Sequence, residues 1–208
     1  ALDRLLDAQV LFDKAKYKIN IDHHRTNEAF GNSNYIEPVG SSTGEVIYHI
    51  LEGLKYELDL ETAICLYTAI LTDTGAFRFE NTSSEVLRIA SKLVDLGIVP
   101  KDIFKKCYES KSKGMVLFQN YCVSKSEFVC DDKIAYTVIY KKDMEKFAAG
   151  DDYTDGIAEV LRAIVTTQVS FVVKETDSKT CKISMRSKGV DVSKICCDFG
   201  GGGHKFAA

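Results

Sequence analysis

"KINIDHHRTN", residues 18 to 27, decides how this chain is read. A short apolar alternation through Ile19 and Ile21 ends in an acid and two adjacent imidazoles, Asp22, His23 and His24. The run "KYKINID" (16 to 22) predicts a buried strand, and the polar, Gly- and Asn-containing "HHRTNEAFGNSNY" after it predicts a loop. The acid and the imidazoles then fall at a strand's carboxyl end. In open α/β sheets ligands bind at that edge, because loops and helix amino termini converge there.

Working outward, "SSTGEVIYHILEGL" has Ser42 three residues before Glu45, a capping-box spacing, with Val46, Ile47, Ile50, Leu51 and Leu54 on one helical face. "DLETAICLYTAILTDTGAF" predicts a second helix, apolar along one side, that delivers Asp73. "TSSEVLRIASKLVDLG" repeats the capping spacing at Thr82 and Glu85, places apolar residues at 86, 87, 90, 93 and 94, and closes on Gly97. Pro100 opens a shorter helix through about Tyr108. Residues 110 to 126 carry few regularly spaced apolar anchors and are read as a linker, giving domains at 1–109 and 127–208. Past the linker, "KIAYTVIY" (133 to 140) predicts a strand and "DGIAEVLRAI" a short helix. "VSFVVKETDSKTCKISMRS" predicts a hairpin with its turn at Asp177 to Lys179, and "VDVSKICCDFGGGGHKFAA" a helix entering four glycines.

Composition narrows the functions. At 208 residues with 45% hydrophobic and 27% charged residues, the chain reads as one large or two small globular domains. A net charge of -3 argues against a surface that grips long nucleic acid and leaves room for a small anionic partner. Seven cysteines without a C-x-x-C pair read as reduced, mostly buried thiols of a cytoplasmic protein. No stretch approaches the roughly 18 apolar residues of a membrane span. The chain opens without methionine and stops within a motif, so it is expected to be a fragment.

Carboxylate oxygen plus neutral imidazole nitrogen suits Mn²⁺, Zn²⁺ or Fe²⁺ better than calcium. Asp22, His23, His24 and Asp73 are therefore a candidate metal site, the two imidazoles pointing to opposite sides of an extended chain. Alone, the triplet also reads as loop histidines capped by a local acid. Its strand-end placement and the phosphate-friendly helix start at "SSTGE" favour the pocket. The run Gly200 to Gly203 followed by His204 and Lys205 reads either as a flexible linker or as a loop whose amides approach a phosphate; the preceding helix and the basic pair favour the loop. "SMRSK" puts Arg186 and Lys188 on one side of a strand beside Ser184, a solvated face or an anion fork. Tyr35, Tyr48 and Tyr67 read as packing residues, and Cys196-Cys197 as helix-face thiols.

Taken in order, "IDHHRTN", "FGNSNYIEP", "SSTGEVIYHIL", "LYTAILTDTGAFRFENTS", "MRSK" and "FGGGGHKFAA" resemble the DHH phosphoesterase superfamily with its DHH-associated C-terminal domain. Within it, "DHHRTNEAFG" is most similar to the nanoRNase and phosphoadenosine-phosphate phosphatase branch. The resemblance spans nearly the whole chain. It implies an α/β fold: a DHH lobe with a parallel sheet flanked by helices, a linker, and a smaller α/β lobe that holds substrate. It implies two Mn²⁺ ions activating water for in-line attack on a phosphoester. Carried onto this chain, it makes His23 and Asp73 metal ligands, sets His24 near metal and scissile phosphate, and has Asp22 orient its neighbours. It gives Arg186, Gly201, Gly202, Gly203 and His204 to the nucleotide's far end.

The family's first motif, His-x-Asp-x-Asp, is absent from these residues, and its next aspartate motif is expected just before Ala1, with "LDRL" as its tail. The expected substrates are short oligonucleotides and nucleoside bisphosphates, without a membrane and with a homodimer left open. Two alternatives stand beside this: hydrolysis of linear or cyclic dinucleotide signals, and a nucleotide-binding fragment without catalysis.

Overall fold

Ser42, Asp59, Ser83 and Ser112 each place a side-chain oxygen on the amide three residues ahead, and each starts a helix. The computed structural model describes residues 8–25, 27–177 and 180–208. The expected "LDRL" tail and residues Ser178 and Lys179 of the expected hairpin turn lie outside the described residues. The chain divides into two units, Ala1–Ser110 and Lys111–Ala208.

The first unit runs α1 (Gln9–Lys14), β1 (Ile19–Asp22), β2 (Ser33–Ile36), α2 (Thr43–Gly53), α3 (Leu60–Asp73), α4 (Ser84–Asp95) and α5 (Pro100–Tyr108). β1 and β2 pair in parallel, with Asp22 opposite Ile36. Strand β2 falls inside the expected loop. Its "SNYI" sequence lacks the apolar alternation that betrays a strand, and its pairing comes from the parallel partner. β1 is also less buried than expected: Asn20 is its one buried residue and Ile19 is exposed, because a parallel strand becomes buried on both faces only between neighbours and β2 is its one partner among the described residues.

Helix α3 is the centre of the unit. Ala63, Leu66, Tyr67, Ile70 and Leu71 are buried against Tyr48 of α2, Val86, Ile89, Ala90 and Leu93 of α4, and Ile103 of α5. Spacing of i, i+3, i+4 and i+7 in both α3 and α4 is what makes these stripes meet. The α4 cap is Ser83, one residue later than expected, and Leu87 is exposed while Ile89 is buried. Leu54, expected on the apolar face of α2, is exposed one residue beyond the helix. Gly97 has φ +101 and closes α4 as expected. Tyr48 and Tyr67 are packing residues, but Tyr35 is half exposed.

The second unit runs α6 (Lys113–Ser124), β3 (Glu127–Val129), β4 (Ile134–Ile139), α7 (Lys141–Lys146), a short 3-10 turn (Asp151–Thr154), α8 (Ile157–Arg162), β5 (Val169–Asp177), β6 (Thr180–Ser187) and α9 (Val192–Asp198). Its four strands lie in the order β3-β4-β5-β6, with β4 and β5 parallel and the other pairs antiparallel. Ala135, Thr137 and Ile139 alternate onto the buried face, under Phe118 and Cys122 of α6 and Ile157, Ala158 and Leu161 of α8. The expected linker 110–126 is thus corrected: most of it is helix α6, whose Phe118 and Cys122 form an i, i+4 pair fully inside this core. The cysteines are less buried than expected. All seven are free, with Cys65, Cys130, Cys181 and Cys197 exposed and Cys122 and Cys196 buried.

Asp143, at the third position of α7, is nearly buried. It accepts from Tyr121 Oη at 2.9 Å, the Tyr140 amide at 3.0 Å and the Lys125 ammonium. Burial acts to raise its pKa, yet Lys125, the Tyr140 amide and the Tyr121 hydroxyl together hold it below its ordinary 3.8. The unfolded chain therefore takes up this proton first, so the stability it contributes is full above pH 3.8 and is lost as pH falls toward the depressed folded value.

Two outcomes follow for denaturant unfolding. Phe118→Ala destabilises the second unit by about 3–5 kcal/mol, whereas a linker residue would give a change near zero. Wild type loses stability relative to Asp143→Asn only below about pH 4, and the gap between them stays constant above about pH 5.

Candidate functional site

Asp22 ends β1 with both carboxylate oxygens engaged. Its Oδ1 accepts from the His23 amide at 2.7 Å, the His24 amide at 3.2 Å and His24 Nδ1 at 2.6 Å, and its Oδ2 accepts from Asn27 Nδ2 at 2.6 Å. Burial works to raise its pKa, but the Asn27 and His24 side chains and the two amides outweigh that and hold the carboxyl well below its ordinary value. Asp22 is a permanent anion that folds the chain back on itself and fixes His24. The two imidazoles meet edge to face, with centroids 4.6 Å apart.

His23 is buried. Its Nδ1 lies 3.2 Å from the carbonyl of Gly40, which can only accept, so Nδ1 carries a proton. Nε2 is directed at Asp73 Oδ2, 3.3 Å away. Burial lowers the pKa of His23, but Asp73, the Gly40 carbonyl and the charge of Asp22 overcome it, and the net shift is upward. This pocket favours positive charge between the ring and the carboxylate.

Asp73 is delivered by the end of α3, and the chain beyond it turns unusually. Gly75, Ala76 and Phe77 have φ of +56, +59 and +60, three consecutive left-handed residues, two of them not glycine. Ala76 and Phe77 each cost about 1–2 kcal/mol in this conformation, whereas Gly75 adopts it freely. Thr74 holds the turn: its Oγ1 donates to Ile70 O and accepts from the Phe77 amide, and its carbonyl accepts from the amides of Arg78 and Phe79. Asn81 follows, its Nδ2 donating to the carbonyls of Ser41 at 2.9 Å and Asp73 at 3.2 Å. Neither Asn81 nor the Gly40 carbonyl has a motif that sequence reading detects.

The start of α2 corrects one expectation. Ser42 Oγ takes the Glu45 amide at 3.1 Å, and Glu45 turns its own carboxylate onto the Ser41 amide at 2.5 Å. Two donors expected for a phosphate are thereby used within the cap. Ser41 Oγ, close by in sequence, is buried with no hydrogen-bond partner among the described residues.

The donor set suits a divalent ion. Two ligands at about 2.1 Å from one ion, with bond angles between octahedral and tetrahedral, stand about 3.0–3.4 Å apart. The His23–Asp73 separation of 3.3 Å falls inside that range. An imidazole whose second nitrogen is held by a backbone carbonyl is also the usual arrangement of a metal-ligating histidine.

In the second unit the chain after α9 returns beside β6. Met185 N donates to Ala208 O at 2.6 Å, Ala208 N to Met185 O at 3.1 Å and Ser187 N to Phe206 O at 3.1 Å, with Arg186 opposite Ala207. The residues just after the loop of Gly201, Gly202, Gly203 and His204 are therefore paired with β6 on either side of Arg186. A tight turn closes the loop, His204 N donating to Ala207 O at 2.8 Å. Gly203, at φ +150, has no room for a side chain: a Cβ would lie 2.5 Å from Ala208 Cα. The Arg186 guanidinium is partly engaged, Nε on Glu159 Oε1 at 2.7 Å and Nη1 on Met185 O at 2.8 Å. It borders a cavity of about 120 Å³ with Ser184, Asp155 and Glu159. That is below the roughly 300 Å³ at which small-molecule pockets begin. Lys188, expected beside Arg186, lies past the strand's end and donates to the Ile164 carbonyl at 2.6 Å and the Val165 carbonyl at 3.3 Å.

Residues 131–208 match the DHHA1 domain family, so the second unit carries a DHH-associated domain. Across both units the chain is 29% identical over 193 residues to the bifunctional oligoribonuclease and PAP phosphatase NrnA of Thermus thermophilus, covering 92% of this chain and 57% of that protein. It is 30% identical to the protein of that name from Bacillus subtilis, covering 91% of this chain and 61% of the relative. The cyclic-di-AMP phosphodiesterase PdeA of Listeria monocytogenes is 32% identical over 93% of this chain and 29% of its own length. A crystal structure of an exopolyphosphatase-related protein from Bacteroides fragilis superposes with a TM-score of 0.89 at 29% identity, covering all of this chain and 62% of that one. The chain spans about three fifths of the length of the NrnA relatives it matches.

Asp22→Ala removes the acceptor for four donors. It is expected to lower stability by about 1–3 kcal/mol and to speed amide hydrogen exchange at His23 and His24. Unchanged exchange there would show that the loop is ordered without Asp22.

Proposed function

We propose that this protein is a Mn²⁺-dependent phosphoesterase acting on short oligonucleotides and on nucleoside bisphosphates such as 3'-phosphoadenosine 5'-phosphate. The observation that carries the reading is His23 Nε2 facing Asp73 Oδ2 at 3.3 Å at the end of β1, with Nδ1 anchored on Gly40. His23 and Asp73 would hold one of two ions, and His24, fixed by Asp22, would lie beside the scissile phosphate. Bound ions of this kind supply Lewis-acid polarisation of the phosphoester and a water nucleophile at neutral pH.

What the chain's own residues do is orientation. Gly40 fixes the tautomer of His23, and Asp22, an anion throughout the neutral range, keeps His24 Nδ1 occupied. In the DHH-associated domain, Arg186, Gly201, Gly202, Gly203 and His204 would bind the nucleotide's far end. The reading is supported by the relatives named oligoribonuclease and PAP phosphatase, and by the pairing of the segment that follows the glycine loop with β6 beside Arg186.

The test is hydrolysis of a dinucleotide, of 3'-phosphoadenosine 5'-phosphate and of cyclic-di-AMP, with Mn²⁺ and after chelation. We expect the first two to be turned over and chelation to abolish the reaction. His23→Ala and Asp73→Ala should each cost at least about 10²-fold in kcat while the protein still unfolds cooperatively. Arg186→Ala should chiefly raise KM. Full activity in chelator, or in both ligand variants, would remove the metal assignment, and preference for cyclic-di-AMP would move the substrate to cyclic dinucleotides.

A further inference from the structure

We infer that Asn81 is a positioning residue that sets the spacing of His23 and Asp73. The inference rests on the metal reading above for its function but not for its geometry. Asn81 Nδ2 lies between two carbonyl oxygens, Ser41 O at 2.9 Å and Asp73 O at 3.2 Å. Both can only accept, so the atom between them has to be the amide nitrogen, and both of its hydrogens are used.

The two carbonyls belong to the two segments that build the site. Ser41 follows Gly40, whose carbonyl holds His23 Nδ1 at 3.2 Å. Asp73 carries the carboxylate that faces His23 Nε2 at 3.3 Å. The contacts form a closed ring: His23 to Gly40, along the chain to Ser41, to Asn81, to the Asp73 backbone, and through its side chain back to His23. The link that closes the ring is His23–Asp73, where a ring nitrogen and a carboxylate oxygen face each other at 3.3 Å. Asn81 closes the ring from the other side, so the separation of those two atoms does not depend on their own attraction.

The left-handed turn is what brings Asn81 there. Asp73 ends α3, and an ordinary continuation would carry residue 81 more than two helical turns further along the axis. Instead Gly75, Ala76 and Phe77 reverse the chain, and Asn81 returns to the carbonyl of the residue that began the turn. The strain of the left-handed Ala76 and Phe77 is thereby tied to the placement of one amide.

A purely structural role, such as capping the last carbonyl of α3, predicts lost stability and unchanged geometry. Two variants separate the readings. Asn81→Ala removes the bridge, and Asn81→Asp keeps its volume but offers no donor to either carbonyl. Crystal structures of both metal-free variants should show His23 Nε2 and Asp73 Oδ2 moved apart by about 1 Å or more, well outside the ligand spacing of one ion. Titration with Mn²⁺ alone should show affinity reduced about 10–100-fold in both variants relative to wild type, the range found when groups that orient metal ligands are removed.

Retention of the wild-type separation in either variant, or wild-type Mn²⁺ affinity in both, overturns the inference. Should Asn81→Ala fail to fold, Asn81→Asp carries the same comparison. Absence of Mn²⁺ binding by wild type would instead sink the metal reading, and the metal-free separation would then decide the role of Asn81 by itself.

Discussion

An imidazole nitrogen and a carboxylate oxygen 3.3 Å apart attract only with a proton or cation between them, and several contacts of the first unit converge on that pair. Gly40 takes the Nδ1 proton and so commits Nε2 to the gap. Asp22 adds a nearby negative charge that burial fails to neutralise. Asn81 joins the backbone of Asp73 to that of Ser41, the residue after Gly40. A proton satisfies this arrangement, and the 3.3 Å spacing also falls within the range for two ligands on one ion.

Local chemistry explains what the sequence disclosed. The start of α2 is written as Ser42 three residues before Glu45, and the end of α4 as a glycine in the left-handed region. These are contacts within four residues, so a single pass along the chain finds them. Asp22, His23, His24 and Asp73 were legible because few residue types can hold a cation, and the structure brings those four together in one unit.

The features that escaped depend on partners distant in sequence or on atoms every residue has. β2 is polar, and only its parallel alignment with β1 makes it a strand. Helix α6 was read as a linker because its core contact rests on Phe118 and Cys122, too few apolar anchors for a periodic signal. The Gly40, Ser41 and Asp73 carbonyls that orient the site have no side-chain signature at all. Lys188 shared a motif with Arg186, yet the strand stops at Ser187 and the ammonium caps carbonyls instead.

The most direct measurement of the central claim is anomalous diffraction at the manganese edge from crystals of the protein equilibrated with Mn²⁺. The account requires a manganese peak within about 2.3 Å of both His23 Nε2 and an Asp73 carboxylate oxygen, with His23 Nδ1 still on the Gly40 carbonyl. A peak elsewhere, or none while His23 and Asp73 keep their 3.3 Å contact, would contradict it.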